Sequence, residues 1–187
     1  MADDSRKYVS RSARKLIAAL DAFGVQATGL ICADLGCNVG GFTEVLLERG
    51  AKKVFAVDTG YGALAYKLRI DPRVDVRERT NALHVELPDP CDLIVIDAAW
   101  TCQKHILPAA QKLLTPDGRI VTLVKPHYEA PKNWLRGGVL DPARREEVLE
   151  TVSATILQLG FQIRDRLDSP VPGQAGNIEQ LWLVQPA

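Results

Sequence analysis

A doubly wound α/β fold, with a mostly parallel sheet and helices on both faces, is what this 187-residue sequence predicts. Three observations lead there. Short apolar runs alternate with helical stripes along the chain, and no repeat or low-complexity tract interrupts them. The run Ala33-Asp34-Leu35-Gly36-Cys37-Asn38-Val39-Gly40-Gly41-Phe42 carries a strand into a helix through glycines. After a long last helix the pattern changes to two strand-like runs, Phe161 to Leu167 and Ile178 to Val184, joined by a loop rich in Pro and Gly, which reads as a closing antiparallel hairpin. The length fits one domain over residues 1–187, and 47% hydrophobic content is enough for a substantial core.

The elements follow in order. Val9, Ala13, Leu16, Ile17, Leu20 and Phe23 form a helical stripe that Gly24 stops. A first strand covers Leu30 to Leu35, and a helix follows from about Gly41 to Arg49. Further strands are expected at Lys53 to Asp58, Val74 to Glu78, Asp92 to Asp97 and Arg119 to Lys125, with helices near Ala63 to Arg69 and Gln103 to Leu114. The turn Thr115-Pro116-Asp117-Gly118 separates the last of these helices from its strand, and a long helix spans about Pro142 to Leu159.

Charge gives no simple argument for a nucleic-acid partner: 23 basic and 23 acidic residues cancel. Two basic clusters remain, Arg6, Lys7, Arg11, Arg14 and Lys15, and Lys67, Arg69, Arg73, Arg77 and Arg79; from charge alone both read as solvated surface. Apolar stretches such as Leu93 to Ile96 are far too short to cross a bilayer, and the acidic start is no secretion signal, so a cytoplasmic protein that avoids membranes is expected. Cys32, Cys37, Cys91 and Cys102 make no Cys-x-x-Cys pair, which favours reduced thiols without a metal.

The glycine run points to a nucleotide-type cofactor, since the carboxyl end of a parallel strand is where open sheets bind ligands. Gly36 is followed by three non-glycine residues before Gly40-Gly41, a poor match to the dinucleotide pattern. Asp34 ahead of the glycines and Asp58 at the end of the next strand suit a cofactor with a free ribose and a cationic end, and S-adenosylmethionine has both. Four ionisable residues converge on the same edge in this topology. Asp97 and Lys125 close two strands, Glu179 opens the last strand of the antiparallel hairpin, and Lys15 lies on the first helix. A lysine between the apolar run Ile120 to Val124 and Pro126 is the most telling, although each of the four also fits an ordinary surface or strand-end role.

These residues resemble the FtsJ-like RNA ribose 2′-O-methyltransferases, and most closely their TlyA (hemolysin A) branch, over nearly the whole chain. The likeness runs through Tyr8-Val9-Ser10-Arg11, Gly40-Gly41-Phe42-Thr43, Ala56-Val57-Asp58-Thr59-Gly60-Tyr61-Gly62, Glu78-Arg79-Thr80-Asn81-Ala82, Val95-Ile96-Asp97, Leu123-Val124-Lys125-Pro126 and Gly176-Asn177-Ile178-Glu179. The resemblance implies the Rossmann-like, seven-stranded fold of class I methyltransferases and a catalytic Lys-Asp-Lys-Glu tetrad, here Lys15, Asp97, Lys125 and Glu179. It also implies an S-adenosylmethionine site formed by Asp34, Gly36, Cys37, Asn38, Gly40, Gly41, Phe42, Asp58, Asn81 and Asp97. Asp58 is expected on the ribose hydroxyls, Asn81 at the adenine edge, and Asp34, Gly36, Asn38 and Gly40 around the methionine end.

Two stretches depart from the branch. Ser10-Arg11-Ser12-Ala13 replaces the usual Ser-Arg-Gly-Gly, and Ala98-Ala99-Trp100-Thr101 replaces the usual Val-Ser-Phe. Family members also carry a small S4-type RNA-binding domain ahead of the methyltransferase, for which this chain has no room. The expected acceptor is RNA, ribosomal rather than DNA, with a separate RNA-binding partner supplying what the S4 domain would. A small-molecule O-methyltransferase and a non-catalytic RNA-binding or hemolysin-like protein are the competing readings. His84, His105 and His127 have no ligand spacing. Trp100, Tyr128 and Trp134 suit either packing or base stacking, and Glu129 to Asp141 resembles a lid with Gly137-Gly138 as flexible joints.

Overall fold

A seven-stranded sheet forms the centre of the computed structural model, which describes residues 8–187. Arg6 and Lys7 of the first basic cluster lie outside the described residues. The chain runs α1 (Ala13–Ala22), β1 (Ile31–Leu35), α2 (Gly41–Glu48), β2 (Lys53–Val57), α3 (Tyr66–Arg69), β3 (Val74–Arg77), β4 (Cys91–Ile96), α4 (Gln103–Gln111) and β5 (Leu114–Val124). It continues through α5 (Pro126–Glu129), β6 (Leu135–Arg136), β7 (Val139–Leu140), α6 (Arg145–Gln158), β8 (Phe161–Asp168) and β9 (Gln180–Pro186). Strand order is β3-β2-β1-β4-β5-β9-β8; the first five are parallel, and β9 runs antiparallel to both β5 and β8. This is the doubly wound, Rossmann-like arrangement.

Strands buried on both faces must be apolar throughout, and β1, β2 and β4 are nearly so. Alternate residues feed two cores. Cys32, Val54, Ala56, Leu93, Val95 and Val121 meet α1 and α2 through Leu16, Leu20, Val45 and Leu46. Ala33, Leu35, Phe55, Ile94, Ile96 and Ile120 meet α4 and α6 through Ile106, Leu107, Val152 and Ile156 on the other side. Strand order reverses between β1 and β4, and the crevice outside their carboxyl ends is where such sheets bind ligands.

Three sequence expectations change. Thr115 to Gly118 is no free turn, because β5 already starts at Leu114, pairs it with Cys91, and shifts register before Leu93 meets Arg119. The tetrapeptide is a bulge inside the strand, and α4 correspondingly stops at Gln111. The last long helix begins at Arg145, after a 3₁₀ turn over residues 142–144 in which Asp141 accepts a hydrogen bond from the Ala143 N–H at 3.0 Å. Gly137-Gly138, read from the sequence as joints, form the turn of the β6–β7 hairpin: their φ of +56° and +82° is a conformation that β-hairpins favour and side chains resist.

No helix among the described residues is long and apolar enough to cross a membrane. Most of the second basic cluster is spent internally, since Lys67 pairs with Glu44, Arg69 with Glu78, Arg73 with Asp71, and Arg77 with Asp75.

Candidate active site

The glycine run turns at the end of β1. Gly36 has φ of +92°, and a Cβ there would sit 2.8 Å from the Asp97 carbonyl oxygen, so only glycine lets β1 and β4 end this close together. The N–H groups of Gly36 and Cys37 both donate to the Val57 carbonyl, at 2.8 and 3.1 Å, which draws the loop towards β2. Asp58 then braces it: one carboxylate oxygen accepts from the Asn38 N–H at 2.8 Å and the other from the Gly60 N–H at 2.7 Å. Each oxygen keeps a second lone pair for a ligand.

Asp34 lies inside β1 with no exposed surface. Its Oδ2 accepts from the N–H and the hydroxyl of Thr43, at 2.8 and 2.7 Å, while Oδ1 is buried with no partner. Burial, and to a lesser degree the nearby Asp97 and Asp58 carboxylates, push its carboxyl up to about 7.

Three adjoining cavities occupy the sheet edge. One of about 300 Å³ is lined by Gly36, Asn38, Asp58, Asn81, Asp97 and Trp100. A second of about 180 Å³ shares Gly36, Asn38 and Asp97 with the first and adds Asp34, Cys37, Phe42 and Lys125. The largest, about 640 Å³, opens beyond Trp100 and is walled by His127, Tyr128, Asn177 and the β6–β7 hairpin. Gly40 and Gly41 line none of the three. Room for the missing Cβ of Gly40 is taken by Leu64 and Leu68, and that of Gly41 by Ser12, so both glycines let protein pack against the first turn of α2.

The four residues form two ion pairs, of which the Lys125–Asp97 pair lines the 180 Å³ cavity and the Lys15–Glu179 pair lines none of the three. Lys125 Nζ lies 2.6 Å from Asp97 Oδ1 and also donates to the Ala98 carbonyl at 3.2 Å. Lys15 Nζ lies 2.6 Å from Glu179 Oε2, with the two side chains only 8% and 3% exposed. His127 sits near both lysines. Burial first, then Lys125 and Lys15, hold its imidazole down at about 4, so it is neutral at physiological pH.

The hairpin beside this site is pinned by Asn177. Its Oδ1 accepts from the Leu140 N–H and its Nδ2 donates to the Gly138 carbonyl, both at 3.0 Å. Asn177→Ala is expected to leave a buried amide unsatisfied and to loosen the hairpin by about 1–3 kcal/mol. Hydrogen exchange at Leu140 checks this: faster exchange there, with strand amides unchanged, is the expected pattern.

A family model described as FtsJ-like methyltransferase matches residues 8–184. The chain belongs to that family. Among FtsJ-like relatives, the chain is 44% identical to the 16S/23S rRNA (cytidine-2′-O)-methyltransferase TlyA of Mycobacterium tuberculosis, over 97% of this chain and 70% of that protein. It is 40% identical to Hemolysin A of Brachyspira hyodysenteriae, over 94% and 75% of the two. A solved structure named as a hemolysin of Streptococcus thermophilus superposes with a TM-score of 0.93 at 38% identity, covering 97% of this chain and 68% of the other.

Within this FtsJ-like site, the sequence reading gives Thr43 no role. Thr43, one turn into α2, is recognisable only by its distance from Asp34 along a strand–turn–helix unit. Ser10 and Ser12, where the chain departs from its branch, line the 180 Å³ cavity. Trp100, the other departure, is 84% exposed, has φ of +61°, and stacks on Tyr128 at 5.0 Å. Trp134 is instead partly buried against the core, under the Arg144 guanidinium.

Proposed function

We propose that this chain transfers a methyl group from S-adenosylmethionine to a ribose 2′-hydroxyl of RNA, with Lys15, Asp97, Lys125 and Glu179 acting as its catalytic tetrad. The observation that carries the reading is the placement of the Lys125–Asp97 pair in the wall of the small cavity beside the glycine loop. The name of the Mycobacterium tuberculosis relative points to ribosomal RNA as the acceptor.

The residues fit the donor. Asp34 offers a buried, unpaired carboxyl oxygen where a cationic group would be welcome, and Gly36, which has no side chain, lines the same cavity. Gly36, Cys37, Asn38 and Phe42 would enclose the methionine end, Asp58 would accept from the ribose hydroxyls, and Asn81 would lie along the adenine edge. When bound, S-adenosylmethionine supplies a methyl group activated by a positive sulfur.

Lys125 does the chemistry on the acceptor side. Asp97 and the Ala98 carbonyl hold its ammonium, leaving an N–H to meet the acceptor oxygen and stabilise the negative charge that develops there. As the O–H bond breaks, Lys125 Nζ passes one of its protons to the Asp97 carboxylate and takes up the hydroxyl proton, so the net proton rests on Asp97 until solvent removes it. Lys15 and Glu179, locked together nearby, keep the wall of the site in register. The pairing of Lys67, Arg69, Arg73 and Arg77 with nearby acids supports docking on folded RNA through a separate RNA-binding unit.

Asp58→Ala is expected to weaken S-adenosylmethionine binding by about 1–3 kcal/mol, through the lost ribose contacts and the unbraced loop; unchanged calorimetric affinity would remove Asp58 from the site. The function itself is tested by offering labelled donor to ribosomal subunits, naked ribosomal RNA and a small-metabolite extract in parallel. Label in RNA supports the proposal. Label confined to small molecules keeps the mechanism and overturns the substrate class.

A further inference from the structure

Thr43 satisfies only one oxygen of Asp34. Its N–H and hydroxyl both donate to Oδ2, while Oδ1 is buried without a donor. The charged and titratable groups around it offer little relief: Asp97 from the end of β4 and Asp58 from the end of β2 are both carboxylates, and the buried Cys37 thiol is held neutral by desolvation. Lys125 shares the cavity wall but is tied to Asp97. An ionised Asp34 would therefore be a desolvated, unpaired charge, which proteins avoid by neutralising the group.

We propose that Asp34 is protonated in the free protein and releases that proton to solvent when the ammonium of the donor's methionine end enters the cavity, so that cofactor binding is proton-coupled. This rests on the S-adenosylmethionine reading above. One Asp34 O–H bond breaks, the proton goes to the buffer, and an ammonium N–H takes over as the donor that Oδ1 lacks. No oxidant or other reactant is involved. Burial and the two neighbouring carboxylates bring the titration of the free protein up to about 7, inside the physiological range. The bound form holds fewer protons, so the sign follows from linkage: affinity rises with pH up to about 7 and then levels off.

The test is calorimetric titration of the whole chain with S-adenosylhomocysteine, which has the same methionine end and cannot react, in buffers of low and high ionisation enthalpy. Release of most of a proton at pH 6 and of clearly less at pH 7.5 is expected, with binding several-fold tighter at the higher pH. Asp34→Asn keeps the shape and cannot titrate, so its binding should be pH-flat and free of proton release. Thr43→Val removes one hydrogen bond to the carboxylate and should increase release at pH 7.5, which keeps the test decisive if Asp34→Asn fails to fold. Binding whose enthalpy at pH 6 is independent of the buffer, or equal release from wild type and Asp34→Asn, overturns the proposal while leaving the cofactor reading standing. No binding of S-adenosylhomocysteine at all overturns both.

Discussion

Lys125→Ala is expected to slow methyl transfer by about 10²–10⁴-fold while leaving S-adenosylmethionine affinity within a few-fold of wild type. The lysine closes β5 at the edge where β1 and β4 end, and its amine contacts Asp97 and the Ala98 carbonyl rather than the bracing network of the glycine loop. Removing it strips the acceptor oxygen of its charge stabilisation. The donor site keeps its own bracing, namely Asp58 on Asn38 and Gly60 and Thr43 on Asp34. Asp97 is 20% exposed, so water can replace the lost cation and the fold should survive. Initial rates with labelled donor, set beside calorimetric affinity, separate the two effects. Near-normal turnover would refute the assignment, and equal loss of turnover and donor affinity would make Lys125 a structural residue.

The Lys15–Glu179 pair should behave differently, because it is buried. Glu179→Ala leaves the Lys15 ammonium in a site with almost no water, and the expected loss of stability is about 3–5 kcal/mol. Lys15→Met combined with Glu179→Leu removes both charges at similar volume and should recover most of that loss, as buried pairs replaced by apolar residues commonly do. Transfer should stay low in the double variant if the pair serves the site as well as the fold. Urea unfolding measures the first effect and methyl transfer the second. A change below about 1 kcal/mol in Glu179→Ala would mean that the pair is solvated in solution. Full activity in the double variant would confine it to a structural role.

The sequence exposes the parallel half of the molecule well because strands buried on both faces leave continuous apolar runs. Lys125 stands out for the same reason, as a charge at the end of Ile120 to Val124. Contacts made across the fold leave no such trace. The two side-chain hydrogen bonds of Asn177 to the β6–β7 hairpin reach residues 37 and 39 positions away, and no local pattern announces them. Glycines mislead in a specific way. The sequence signals that a Cβ is unwelcome at Gly40 and Gly41 without saying what occupies that space, which is Leu64, Leu68 and Ser12. Likewise Gly137-Gly138 reads as flexibility, although two positive φ angles in succession are the requirement of a tight hairpin turn. Thr115 to Gly118 has turn chemistry, but pairing of Leu114 with Cys91 absorbs it into β5.

Ribose methylation at the 2′-oxygen removes the internal nucleophile by which alkali cleaves RNA, whereas methylation of a base leaves that cleavage intact. The central claim is therefore tested most directly by labelling ribosomal subunits with methyl-tritiated S-adenosylmethionine and this chain, hydrolysing the recovered RNA in alkali, and separating the products. Label in alkali-resistant dinucleotides, absent with Lys125→Ala, is the predicted result. Label in mononucleotides would place the methyl group on a base and contradict the account.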